Sequence, residues 1–256
     1  MQTRISFGTA LFCTVCAFIL VFAGFSPDAN AQIFSEDLTM HSTTTSSGMM
    51  GRGGGTTTDT DYYSNNAVKM SKSDGTDTII RFDTKTLVTI DNNKKTYTEM
   101  TFEQMQQMLS KVTAQLGQNS EQLEAAKKMM GLSDTSVSVS KAGAGETIAG
   151  YSTEKYLVTM GPITMEIMAA PSLKVPGAYY DVLKVQSPAN PIFDMNQLYD
   201  EMKKIEGMPL KTITSVKMMN MEMKTSKVVD SIEKGSVPAS EFEIPAGYTR
   251  VEARLN

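Results

Sequence analysis

Between Ala67 and Met100 the chain alternates apolar and polar residues in short runs. These are Ala67–Met70, Thr78–Asp83 with Ile80 and Phe82 on one face, Leu87–Asp91 with Val88 and Ile90 together, and Thr96–Met100. A period of two puts successive side chains on opposite faces of a strand. Ser73-Asp74-Gly75 and Asp91-Asn92-Asn93-Lys94 stand between runs and supply residues that tolerate positive φ. The pattern predicts an antiparallel meander. At Thr101 the period changes. Thr101 with Gln104 forms a capping box, and Phe102, Met105, Leu109, Val112 and Leu116 recur at three- and four-residue steps, which predicts a one-sided helix. Ser120 opens a second helical stretch with Leu123, Ala126 and Met130 on its apolar side and Gly131 as its stop.

Strand patterning resumes at Ser136–Ser140, where Val137 and Val139 alternate with serines, and a glycine-rich turn is expected before Glu154–Met160. Tyr156, Val158 and Met160 share one face of that strand; after Gly161-Pro162, Ile163, Met165 and Ile167 share a face of the next. Ala178–Val185 fits either helix or strand. Asp194 caps a clearer helix carrying Met195, Leu198, Met202 and Ile205 before Gly207 ends it. In Leu210–Met223 the apolar phase shifts from Val216 and Met218 to Met219, Met221 and Met223, which predicts a bulge near Lys217. Thr225–Glu233 is a further strand. Upstream, Asp37–Asp61 is a Thr/Ser/Gly tract whose Gly48–Gly55 centre reads as a hairpin tip between two Thr-rich strands. Strands, then helices, then strands predict an α+β fold with helices packed on one face of a curved antiparallel sheet.

The first 31 residues change the picture most. Met1–Arg4 is a positive start, Ile5 to Phe25 is an apolar run, and Ala29-Asn30-Ala31 is a small-x-small site, so a signal peptide over residues 1–31 cleaved before Gln32 is expected. Periplasmic or secreted localisation follows. Both cysteines, Cys13 and Cys16, lie inside that peptide, so thiol chemistry is not expected after cleavage. Residues 32–62 then read as an N-terminal strand with its flexible loop, and 63–256 as a single α+β domain. A net charge of −4, with Lys and Arg scattered singly or in pairs, argues against nucleic acid as a partner. No later stretch has the apolar length of a membrane span. There are 20 methionines and no tryptophan. Methionine fills irregular cores and also lines surfaces that accept variable partners.

Catalytic chemistry finds little footing. His41, the only histidine, sits in the low-complexity tract, and Gly150-Tyr151-Ser152-Thr153-Glu154 lacks the second glycine of a nucleophile elbow. Asp59, Asp61 and Glu166 are not brought into a pocket by any pattern, and Asp59-Thr60-Asp61 lacks the glycine and distal glutamate of a calcium loop. The chain is expected not to be an enzyme and to need no cofactor. One cluster carries specific chemistry. On a single strand Met219, Met221 and Met223 point the same way; their thioethers would suit Cu(I), and the same spacing is equally that of a half-buried apolar strand.

Ile148-Ala149-Gly150-Tyr151, Lys155-Tyr156-Leu157-Val158 and Glu166-Ile167-Met168-Ala169 occur in order with Gly207-Met208-Pro209-Leu210 and a Val237-Pro238 to Tyr248 ending. Over most of Tyr63–Val251 the chain resembles the exported bacterial domain-of-unknown-function family numbered 4412. That family is similar in architecture to the LolA/LolB lipoprotein carriers, which implies an open half-barrel with helices on the concave face and a lipid or lipoprotein as partner, with peripheral membrane contact. Met168 stands where that pattern leads one to expect an aromatic. The one-sided strands and helices then yield a reading: non-enzymatic binding of an apolar ligand or acyl chain in a cavity lined by Tyr156, Val158, Met160, Met165, Ile167, Met219, Met221 and Met223, with the Phe102–Leu116 helix as lid. A periplasmic Cu(I)-binding protein and an envelope protein-interaction module are the alternatives.

Overall fold

The computed structural model describes residues 34, 36–48, 54–117, 136–186, 194–218 and 221–252. The expected signal peptide, the helical stretch from Ser120 to Gly131, and Met219 lie outside them. Six strands come first: β1 (Leu38–Ser46), β2 (Gly55–Tyr63), β3 (Ala67–Lys72), β4 (Thr76–Arg81), β5 (Thr86–Asp91) and β6 (Thr96–Thr101). Helix α1 (Phe102–Gly117) follows, then β7 (Val137–Ile148), β8 (Tyr151–Met160) and β9 (Ile163–Ala170). Helices α2 (Gly177–Gln186) and α3 (Met195–Met202) lead to β10 (Met208–Met218), β11 (Met221–Lys234), a single 3-10 turn (Ala239–Phe242) and β12 (Thr249–Arg250).

Among the described residues all twelve strands form one curved, unclosed sheet in the order β12-β6-β5-β4-β3-β2-β1-β11-β10-β9-β8-β7. Every pairing is antiparallel except β12 on β6. The Thr-rich tract forms the β1–β2 hairpin, and in β1 Leu38, Met40 and Ser42 are buried while the residues between them are not. The capping box forms as its spacing predicts: the Gln104 N–H donates to Thr101 Oγ1 at 3.1 Å and the Thr101 N–H to Gln104 Oε1 at 2.9 Å. Asp194 likewise accepts from the Gln197 N–H at the start of α3.

Two expectations are corrected and one open choice is decided. The glycine-rich stretch is not a turn. β7 runs through it with two register shifts, between Lys141 and Ala144 and between Ala144 and Thr147, and the chain reverses at Ala149 and Gly150, whose φ values are +49° and +83°. Glycine inside a strand accommodates bulges, whereas a two-residue hairpin wants positive φ at both central positions. The shift of apolar phase in Leu210–Met223 is not a bulge near Lys217 either: Met218 pairs with Met221, so β10 and β11 form a hairpin there. Reversing a strand changes the phase of alternation just as an inserted residue does, and the sequence signal is the same. Finally, the ambiguous Ala178–Val185 is helical, within α2.

The register sorts side chains onto two faces. Val68, Ile80 and Leu87 share a face with Met40, Leu210, Ile167, Val158 and Tyr156; the other face of β3–β6 carries Ile79, Val88 and Ile90. The first face holds the principal core, where Phe34 meets Tyr63 and Tyr179 edge-on with ring centroids 5.2 and 5.6 Å apart. The second face is covered over β3–β6 by the C-terminal segment, with Phe242, Ile244 and Tyr248 packed on Ile79, Val88 and Ile90. Polar contacts tie the segment down. The Arg81 guanidinium donates to the Phe242 carbonyl at 2.9 Å, Lys69 Nζ lies 2.9 Å from Glu241, and the Tyr248 hydroxyl donates to Asn92 at 2.9 Å.

Candidate ligand-binding cavity

The chain leaves β9 and returns to the sheet in β10 after laying α2 and α3 across the principal-core face. This crossing is tightly built at its end. Gly207 has φ +97°, and a Cβ there would stand 2.0 Å from the Ala170 carbonyl oxygen. No other residue allows β10 to start this close to the end of β9. Lys184 on α2 pairs with Asp200 on α3, and Lys203 reaches back to Asp181 at 2.5 Å, so the two helices are cross-linked by charge.

Between α2 and strands β1, β2, β9, β10 and β11 lies a cavity of about 220 Å³. Its apolar wall includes Met40, Met165, Ile167, Met202, Met208 and Leu210. Three tyrosines, Tyr63, Tyr179 and Tyr180, and the carboxylate of Asp61 complete it, with Lys227 and Lys211 at its margin. Asp61 is 5% exposed and is held by Lys227 Nζ at 2.9 Å. A carboxylate so far from water needs such a partner, because an uncompensated buried charge is strongly unfavourable. Burial raises the Tyr180 hydroxyl's pKa to about 12. Burial raises those of Tyr63 and Tyr179 as well, and the nearby Asp61 charge adds to both. These phenols stay neutral donors throughout the physiological range.

The expected lining residues separate into three groups. Met165 and Ile167 reach the cavity wall. Tyr156, Val158 and Met160 share their face, but α3 and the segment after it lie over them, with Leu198 and Ile205 buried against them. The Tyr156 hydroxyl accepts from the Glu206 N–H at 3.2 Å and donates to Glu154 at 3.1 Å, which pins that segment to β8. In the third group, Met223 is half-buried opposite Val216, in the row of Ile163 and Met160, away from the cavity. Met221 pairs with Met218 across the hairpin, and Met219 lies outside the described residues.

Met40, Tyr63, Tyr179, Tyr180 and Lys227 escaped the sequence reading, and Asp61, weighed there as a carboxylate that no pattern brings into a pocket, lines this one. A signal existed for Asp61, which falls in phase with Tyr63 in Asp59-Thr60-Asp61-Tyr62-Tyr63 and so shares its face. A second, shallower groove of about 650 Å³ lies between β6, β12 and α1, lined by Met100, Gln104, Met108 and Arg250.

His41 is on the sheet, its Nδ1 3.0 Å from Thr60 Oγ1 and its Nε2 3.8 Å from Glu233. Glu166 is paired with Lys155 at 2.7 Å and does not approach Asp61. Among the described residues no three His, Cys, Asp or Glu side chains are grouped as metal ligands, and no helix is long and apolar enough to cross a membrane.

The fold and the cavity define an α+β protein built on one open antiparallel sheet with a small, mostly apolar chamber. The chain belongs to the family described as Domain of unknown function (DUF4412), whose sequence model matches residues 50–248. No curated protein matches it in sequence. Among solved structures, PNGF-II overlaps 86% of this chain at 9% identity and a TM-score of 0.40; the chain spans 32% of that protein's length. A domain assigned to outer membrane lipoprotein sorting from Vibrio parahaemolyticus overlaps 81% of this chain and 89% of its own at 6% identity and a TM-score of 0.32. A DUF1329 family protein from Desulfovibrio piger ATCC 29098 overlaps 85% of this chain and 92% of its own, at 6% identity and a TM-score of 0.33.

Proposed function

We propose that this is an exported, non-enzymatic binding protein that holds an apolar ligand, such as part of an acyl chain or of a lipidated partner, in the chamber between α2 and the sheet. The observation that carries the reading is the chamber's wall, in which four methionines from four different elements, Met40, Met165, Met202 and Met208, converge with Ile167 and Leu210. Thioether side chains repack around variable shapes, which suits a site for a flexible chain. The volume of about 220 Å³ exceeds the roughly 150 Å³ of an engineered apolar cavity that admits benzene, and falls short of a drug-sized pocket. It suits a short apolar group or one end of a longer chain. Export rests on the pattern of the first 31 residues, with periplasmic residence its natural outcome.

The test starts with protein purified from the envelope fraction and extracted with organic solvent, where a co-purifying lipid is expected. In parallel, the neutral fluorescent probe N-phenyl-naphthylamine should bind the delipidated protein, and Met165→Trp, which fills the chamber, should abolish that binding while leaving the circular dichroism unchanged. Absence of both a co-purifying lipid and probe binding would sink the proposal.

A further inference from the structure

The chamber's polar groups are unequally satisfied. Asp61 accepts from Lys227 at 2.9 Å. Lys211, the other lysine at the margin, is 2.5 Å from Glu146. Both cations are therefore committed to carboxylates, and of the four charges the buried one is Asp61. Tyr180 presents the opposite situation. It lines the chamber, only 3% of its surface is exposed, and its hydroxyl has no hydrogen-bond partner. Buried hydroxyls in folded proteins are nearly always paired, so one left single beside a chamber calls for an explanation.

A phenol in this state is a donor awaiting an acceptor. Two common chain ends could supply one, a carboxylate or an uncharged carbonyl. A carboxylate would be stripped of water in a mostly apolar wall whose two marginal lysines are already committed to Asp61 and Glu146, and an unpaired buried charge is strongly unfavourable. An uncharged carbonyl brings an acceptor without that penalty. We propose that the chamber recognises an apolar chain ended by a neutral carbonyl, as in an acyl ester, with the Tyr180 hydroxyl as donor, and that it excludes the free fatty acid because the lysines at its margin are already paired. The inference rests on the apolar-ligand reading above and specifies its ligand.

The experiment displaces bound N-phenyl-naphthylamine from the purified chain at pH 8 with methyl octanoate, octanoate and octane. The ester is expected to compete about tenfold more strongly than either of the others. Tyr180→Phe should weaken the ester by about 3- to 10-fold and leave octane unchanged, the effect of one lost hydrogen bond. Its Tm without ligand should not fall, since the hydroxyl removed has no partner to lose. Asp61→Asn, which frees the Lys227 ammonium, should strengthen octanoate by about tenfold. Equal competition by ester and octanoate on the wild-type protein, or an ester unaffected by Tyr180→Phe, would overturn the inference and leave the apolar chamber standing. Failure of the probe to bind at all would overturn the apolar chamber itself.

Discussion

Strands β3–β6 and strands β7–β9 use the same antiparallel ladder, but they are covered differently. In β3–β6 both faces are buried. Ile80 and Leu87 turn toward the principal core while Ile79, Val88 and Ile90 lie beneath the C-terminal segment. In β7–β9 only one face is covered, by α3; the other carries Ser138, Thr159, the Lys155–Glu166 pair and the exposed Leu157. The sequences reflect this. Adjacent apolar pairs such as Ile79-Ile80 and Leu87-Val88 go with strands buried on both sides, whereas on β8 Tyr156, Val158 and Met160 are buried and the residues between them, Leu157 and Thr159, stay exposed. The chamber lies between these two regions, where α2 bridges the sheet without filling it. What the difference teaches is that the chamber arises beyond the C-terminal segment and beside the end of α3, where the two coverings do not meet.

Ending the chain after Gly235 gives the harshest test of the comparison. It would bare Ile79, Val88 and Ile90, each at most 1% exposed. At about 1.5–3 kcal/mol per fully buried side chain, the loss takes most of a typical stability. The truncated protein is expected to be insoluble or to lack cooperative unfolding by circular dichroism. A soluble, normally melting product would show that the segment is not what closes β3–β6.

Gly207→Ala comes next. The positive φ and the contact with the Ala170 carbonyl cannot both be kept, and a loss of about 4 kcal/mol in urea unfolding is expected. Leu198→Ala should cost about 3 kcal/mol by opening a cavity over Val158 and Tyr156. In native-state hydrogen exchange that variant should speed exchange in β7–β9 ahead of β3–β6. Uniform acceleration would mean the two regions unfold as one.

Alkali probes the ground between them. Tyr180 has its folded pKa raised from 10.0 to about 12, so it favours the folded state fully below pH 10, and that contribution is lost as pH climbs toward 12. Tyr63 and Tyr179 are shifted in the same direction. Tyrosinate absorbance should therefore show these groups ionising late and together with unfolding, and in Tyr180→Phe the alkaline loss of stability should be smaller. Early, reversible titration of every tyrosine in the folded protein would contradict their burial. The smallest effect belongs to the periphery. Thr101→Ala removes one arm of the capping box and should cost about 1 kcal/mol in thermal unfolding, with no change in probe binding.

Much of this fold was legible in the sequence. The meander, both helix caps and the one-sided faces of β8 and β9 follow from local periods and side-chain chemistry, and local chemistry suffices to set them. The chamber was not legible to the same degree. Met165 and Ile167 were found because they alternate on β9, but Met40 and Asp61 sit in a Thr-rich tract where β-branched polar residues mask the burial phase. Tyr179 and Tyr180 lie on a helix whose ten residues are too few to show a clear period. Whether α3 covers Tyr156, Val158 and Met160 depends on how it docks, and spacing along the chain carries no record of docking.

The outermost strand, β7, has a bearing on how copies of the molecule behave toward one another. An open sheet offers its rim as a template on which further strands can grow. Here an incoming strand meets regular backbone only from Val137 to Lys141 before the first register shift, and Lys141, with its ammonium 2.5 Å from Glu154, closes that run. Three residues further along the rim, at Ala144, the spacing breaks again. The irregular glycine-rich stretch thus shortens the rim on which a further strand could grow, a built-in brake on edge-to-edge extension of an open sheet.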